Sequence, residues 1–175
     1  MSLTPEQKAD QDRLLEKGNG WDCYQFAHHV PGADKKALEA RILEIGDANA
    51  CRWFALDIPG AHIPSLQARV LEIGSSWDCR WFAQHITGAD TPVLQKRTLE
   101  IGTGYDCYQF ARHVPGADTE SLLARVLEIG DKNDCLLYAR FIPGINEDSL
   151  QRLRTRAKTL GSASGEETTS PSPAP

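Results

Sequence analysis

The residues best able to do chemistry recur at a single interval. Cys23, Cys51, Cys79, Cys107 and Cys135 stand 28 residues apart. Thiols can bridge, bind zinc or act as nucleophiles. A disulfide needs Cα atoms within about 7 Å, whereas neighbouring helices in a stack lie about 8–10 Å apart. No CxxC pair is present to build a zinc site. The five cysteines therefore read as buried, reduced, space-filling thiols, which suits a reducing compartment.

Carboxylates and imidazoles follow the same interval. Arg41, Arg69, Arg97 and Arg125 each precede Glu44, Glu72, Glu100 and Glu128 by three residues, the spacing of a same-face ion pair on a helix. His29, His85 and His113 form another column, which Asp57 and Phe141 interrupt. Catalysis needs one asymmetric site, so groups repeated in every copy read as scaffold. There is no Gly-rich phosphate loop, no HExxH and no GxSxG. The expectation is a protein that is not an enzyme and uses no metal or cofactor.

The elements that must position these residues follow from the repeat. Five copies of 28 residues run without insertion: 18–45, 46–73, 74–101, 102–129 and 130–160, the last extended by a capping helix. Each opens on Gly (18, 46, 74, 102, 130), expected in the left-handed position that closes a helix. An N-cap residue follows: Asn19, Asp47, Ser75, Thr103 or Asp131. Asp22, Asp78, Asp106 and Asp134 stand three residues further on, where a carboxylate favours the helix N-terminus; the second copy has Ala50 there. The first helix then carries one apolar stripe, as in Cys79, Phe82, Ala83 and Ile86. Pro-Gly pairs end it, with Thr87-Gly88 as the exception. Asp34, Asp90, Asp118 and Asn146 are candidate caps for the second helix. That helix shows a wider apolar spread, as in Leu66, Val70, Leu71 and Ile73.

The fold class is therefore all-α: a right-handed α-solenoid of stacked antiparallel helix pairs, with five full repeats and an N-terminal half-repeat cap at 1–17. In that half repeat Asp10 and Lys17 replace an apolar leucine and isoleucine, as a terminal helix facing water requires. The last helix keeps a narrow stripe at Leu150, Leu153, Ala157 and Leu160. Residues 161–175, rich in Gly, Ser, Thr, Glu and Pro, read as a disordered tail. The pattern FAxxxPGADxxxLxxRVLEIGD resembles short two-helix repeats of bacterial and phage proteins. More broadly it is similar to the HEAT and tetratricopeptide class of α-solenoids, over residues 4–160. That resemblance implies an architecture and transfers no site residues.

If repeated positions build the scaffold, positions that differ among copies can read a partner. Three such columns lie on the first helix. They are Trp21, Asn49, Trp77, Tyr105 and Asn133; Gln25, Trp53, Trp81, Gln109 and Leu137; and His28, Leu56, Gln84, Arg112 and Arg140. Their offsets of 0, 4 and 7 place them on one helical face, away from the Cys–Phe–Ala stripe. Large aromatics and arginine dominate interface energetics. The expected site is Trp21, Gln25, His28, Trp53, Trp77, Trp81, Gln84, Tyr105, Gln109, Arg112 and Arg140, with a protein or peptide as partner. The competing role for the tryptophans is to cover helix–helix seams. A per-repeat nucleic-acid code is the alternative, with Arg52, Arg80, Arg112 and Arg140 as a basic line, though the net charge of −5 disfavours it. Self-assembly through the solenoid ends is a third reading, which the polar caps disfavour; a monomer is expected.

Composition adds limits. Hydrophobic content of 41% and charge of 25% are globular values. No apolar run is long enough to span a bilayer, and the first residues lack the basic and apolar regions of a signal peptide. A cytoplasmic protein is expected.

Overall fold

The structure, a computed structural model, describes residues 2–163 of the 175. Among the described residues there are eleven helices and no strand: α1 (Pro5–Lys17), α2 (Gly20–His29), α3 (Lys35–Ile45), α4 (Ala48–Asp57), α5 (Ile63–Ile73), α6 (Ser76–His85), α7 (Thr91–Ile101), α8 (Gly104–His113), α9 (Thr119–Ile129), α10 (Lys132–Phe141) and α11 (Glu147–Ala163). The chain divides into two compact units, residues 1–98 and 99–175. In the first, α1 packs on α2 and α3, each of the pairs α2/α3 and α4/α5 closes on itself, and α2 packs on α4 and α4 on α6. In the second, α8/α9 and α10/α11 pair, and α8 packs on α10. Within each unit this is the paired, stacked arrangement of an α-solenoid. No helix of the described residues is long and apolar enough to cross a membrane.

The helix starts are where the cap residues place them. Asn19 accepts the Asp22 N–H at 2.8 Å. Ser75 and Asp78, Thr103 and Asp106, and Asp131 and Asp134 form reciprocal capping boxes. At α4, where Ala50 stands in place of the aspartate, Asp47 caps alone. Asp34 and Asp118 cap α3 and α9. His62 caps α5 through its ring nitrogen, a role its residue type did not advertise. The reversal after each first helix uses a left-handed glycine: Gly32, Gly60, Gly88, Gly116 and Gly144 all have φ between 75° and 89°. Gly88 makes the turn without a preceding proline.

The glycine opening each copy has a different job from the one expected. Only Gly46 is left-handed (φ 76°); Gly18, Gly74 and Gly130 are extended. These three are needed for space. A Cβ on Gly74 would stand 2.5 Å from the Val70 carbonyl oxygen and 3.0 Å from the Asp78 Cβ.

The core also departs from the expected stripe. Leu38, Leu66, Leu94 and Leu122, together with Ile42, Val70, Thr98 and Val126, are fully buried. Ile73, Ile101 and Ile129, expected inside, are exposed. The buried arc extends instead to the residue after the leucine: Glu39, Gln67 and Gln95 are buried, as is Gln11 in the same column of α1. At about 100° per residue this centres the arc between leucine and glutamine and leaves the isoleucine, at the helix end, on its edge. The buried polar side chains tie one pair to the next. Gln11 accepts the Asp34 N–H at 2.7 Å, Glu39 the His62 N–H at 3.1 Å, and Gln67 the Asp90 N–H at 2.7 Å.

In α11 the buried residues are Ser149, Leu153 and Ala157, whereas Leu150 and Leu160 are half-buried. Arg154 occupies the register that Val126 fills in α9, so the helix turns to bury its small and apolar residues one position earlier. The helix also runs to Ala163, two residues past Gly161, where the tail was expected to begin. The Thr159 and Ser162 hydroxyls bond back to the carbonyls of Thr155 and Lys158 within it. The rest of the expected tail, 164–175, lies outside the described residues.

Candidate binding face

The centre of unit one is a cluster on α4 and α6. Arg52 follows the buried Cys51, so its side chain leaves the core at the α4/α6 contact. It is 4% exposed. Its Nε lies 2.9 Å from the Asp78 carboxylate, close enough for an ion pair but without hydrogen-bond alignment. One Nη donates to the Asn49 side-chain oxygen at 2.9 Å. The guanidinium carbon stands 4.2 Å from the Trp77 ring centroid and 4.8 Å from that of Trp81. Trp53 stacks obliquely on Trp81 at 5.6 Å, and Trp81 on His85 at 4.8 Å. Burial pushes the Arg52 pKa down, while Asp78 and Asp47 oppose that shift.

Asp78 thus has two duties. It caps its own helix by accepting the Ser75 N–H, and it holds the guanidinium on which two indoles rest. Trp53 and Trp81 are half-buried, in keeping with partial seam cover, but Trp77 remains 47% exposed. Arg80 donates to Gln84 at 3.1 Å, which turns Gln84 along its own helix. On α2, Trp21 packs on Tyr24 at 5.1 Å and His28 on Tyr24 at 5.8 Å. Tyr24 is buried and donates to Asp57 of α4 at 2.6 Å. Burial first, then that bond, push its pKa up to about 12. Gln25 is half-buried beside them in sequence.

Unit two presents a different surface. Tyr105 packs on Tyr108 at 5.9 Å, and Gln109 donates to the Tyr105 hydroxyl at 2.6 Å. Arg112 donates to the Tyr108 hydroxyl, and its guanidinium carbon stands 4.5 Å from the Phe141 ring centroid. Arg140 approaches the same ring at 5.1 Å.

The structure therefore gathers Trp53, Trp77 and Trp81 in one place, and Tyr105, Gln109, Arg112 and Arg140 along α8 and α10. Arg52 does not belong to a basic line: it is buried and paired, so its charge is spent inside the cluster. Sequence reading missed Tyr24, Asp57, Asp78, Tyr108 and Phe141 as site residues, and took Arg52 for a surface cation. The usable signal was the column after each cysteine (Tyr24, Arg52, Arg80, Tyr108, Leu136), which varies as much as the three exposed columns.

The repeated groups behave differently. All five cysteines are free and buried. Burial pushes the thiols up, to about 12 for Cys51 and about 11 for Cys79 and Cys107, so none is poised as a nucleophile. Arg41–Glu44, Arg69–Glu72 and Arg125–Glu128 pair at 2.8, 2.5 and 2.8 Å with the carboxylates in solvent. Arg41 of α3 also donates to the Glu16 carbonyl of α1 at 3.4 Å. No group of three His, Cys, Asp or Glu that could hold a metal occurs among the described residues.

These features define an all-α protein of 28-residue helix-pair units with a varied face on the first helix of each pair. Comparison with protein-family models, curated proteins and solved structures found no significant match.

Proposed function

We propose that this chain is a non-enzymatic scaffold that binds a protein or peptide through the varied face of its first helices. The observation that carries the reading is the Trp53–Trp77–Trp81 cluster assembled on Arg52. An indole 47% exposed yet stacked on a buried cation is already ordered. A partner covering it loses little side-chain freedom from the scaffold, and such pre-organised aromatics are where hot spots fall. Seam cover alone accounts for the half-buried Trp53 and Trp81 but leaves the exposure of Trp77 without a use.

The test is selection of a displayed random-peptide library on the purified chain, followed by affinity measurements on Trp77→Ala and Arg13→Ala. Arg13 pairs with Asp10 in solvent on α1 and serves as a surface control. Loss of a central aromatic should weaken binding by about 2 kcal/mol or more, roughly thirtyfold, with Arg13→Ala unchanged. Selected peptides that bind Trp77→Ala as well as wild type would place the functional surface elsewhere.

A further inference from the structure

We infer that the α8/α10 face of unit two is a subsite for an acidic side chain of the partner, with Arg112 and Arg140 as anion-binding groups and Phe141 as the apolar floor. The inference rests on the peptide-binding reading and names the chemistry of one contact. Arg112 and Arg140 are the penultimate residues of α8 and α10, and both guanidinium groups close on the Phe141 ring, at 4.5 and 5.1 Å. The ring is 39% exposed, so this is open surface. An aromatic quadrupole attracts a cation but does not neutralise it. Neither arginine has a carboxylate within ion-pair distance among the described residues, whereas Arg41, Arg52, Arg69 and Arg125 each have one.

The contrast between the two units explains how the vacancy of charge arises. In unit one the column of Phe141 holds Asp57, which accepts a hydrogen bond from the Tyr24 hydroxyl at 2.6 Å. In unit two phenylalanine stands there, and the equivalent hydroxyl, that of Tyr108, accepts from Arg112 instead. That acceptance engages one of the five N–H donors of Arg112. Helix C-termini favour arginine on their own account, but they give no reason for an exposed phenylalanine between two guanidinium groups. A carboxylate that accepts from both arginines, on a peptide whose neighbouring apolar side chain lies on Phe141, satisfies both observations. A nucleic-acid strand fits less well. It requires a track of cations, and here two arginines sit on helices that also carry Asp106 and Asp134, with Asp131 as a cap.

The experiment uses the full chain and three fluorescein-labelled probes: a Gly-Ser peptide with a central Asp-Glu-Phe-Asp-Glu segment, its Asn-Gln-Phe-Asn-Gln counterpart, and a twelve-nucleotide oligothymidine. The acidic peptide should bind with salt-sensitive affinity that falls at least about tenfold in the double variant Arg112→Gln, Arg140→Gln. Arg112→Lys with Arg140→Lys should recover part of it, and helical circular dichroism should stay at the wild-type level throughout. Several results would overturn the subsite: no binding of the acidic peptide, equal binding by the double glutamine variant, equal binding of the neutral peptide, or tighter binding of the oligothymidine. The broader reading fails separately. Library-selected peptides that depend on Trp77 but ignore both arginines leave the scaffold reading standing and remove this subsite alone.

Discussion

Replacing Arg52 by methionine tests whether the aromatic face is held from beneath. The change removes a buried guanidinium and leaves Asp78, which lost its water on pairing. Breaking a buried pair from one side costs about 3–5 kcal/mol. Asp78 keeps its bonds from the Ser75 N–H at 2.8 Å and the Ser75 hydroxyl at 2.7 Å, which puts the charge term at the lower end of that range. Two indole contacts at 4.2 and 4.8 Å add about 0.5–1 kcal/mol each, and the buried methionine offsets part of the sum. The expected net loss is about 3 kcal/mol. For a chain of this size that corresponds to a fall in melting temperature of roughly 6–12 °C. Arg13→Met, which removes an exposed pair, should stay within about 2 °C of wild type. Circular dichroism at 222 nm follows the melt, and near-ultraviolet dichroism reports the indoles, all of which lie in unit one. Arg52→Lys should fall between, because a lysine keeps the charge and loses the planar stacking surface. If Arg52→Met melts with the Arg13 control and its near-ultraviolet spectrum is intact, the ion pair is not what orders Trp77 and Trp81.

Three further outcomes follow from the buried polar groups. The cysteine thiols are held neutral in the fold, so native protein at pH 8 should react with a disulfide reagent far more slowly than the unfolded chain, which should titrate about five thiols. Because these folded-state pKa values lie above the unfolded value, their contribution to stability is complete below about pH 9 and is lost as pH rises towards 11–12. The urea midpoint should fall over that window, and a rise would contradict the burial argument. Gln67→Leu should cost about 1–3 kcal/mol, because the Asp90 N–H loses its acceptor, whereas Gln67→Glu should be much milder, since Glu39 performs the same task one repeat earlier. A leucine variant as stable as wild type, measured by urea unfolding, would show that the bond does not tie the pairs together.

The architecture was legible because its signals are local and repeated. Caps such as Ser75 with Asp78, and breakers such as Pro59-Gly60, act within a few residues and recur in four of the five copies. What was illegible depended on neighbours. Gln67 reads as a surface residue by type, and only the Asp90 backbone of the following pair explains why it is buried. Ile73 reads as core by type, yet it is the last residue of its helix and is exposed although it lies only about 20° round from the buried Leu66. The start glycines misled for a related reason: glycine supplies either a left-handed φ or room, and sequence does not separate the two. The candidate site was half legible. Its exposed members stand in varied columns and could be found by comparing copies. Arg52 was found too, but as a surface cation, because nothing within its own helix shows that Asp78 waits on the next.

That last failure points to how one scaffold can present two surfaces. After Cys23, Cys51 and Cys107 the next residue lies beneath the exposed columns and meets the following first helix of its own unit. Tyr24 meets Asp57, Arg52 meets Asp78 and Trp81, and Tyr108 meets Phe141. In the first two cases a carboxylate absorbs the donor, and the surface above is left neutral and aromatic. In the third Phe141 stands in the column of Asp57, the hydroxyl accepts from Arg112, and the cations stay outside. Neither the leucines nor the glutamine ties that build the stack take part, and Asp78 keeps its cap while it holds Arg52. The chemistry offered to a partner can therefore change at two positions per pair while the helices beneath keep the same contacts.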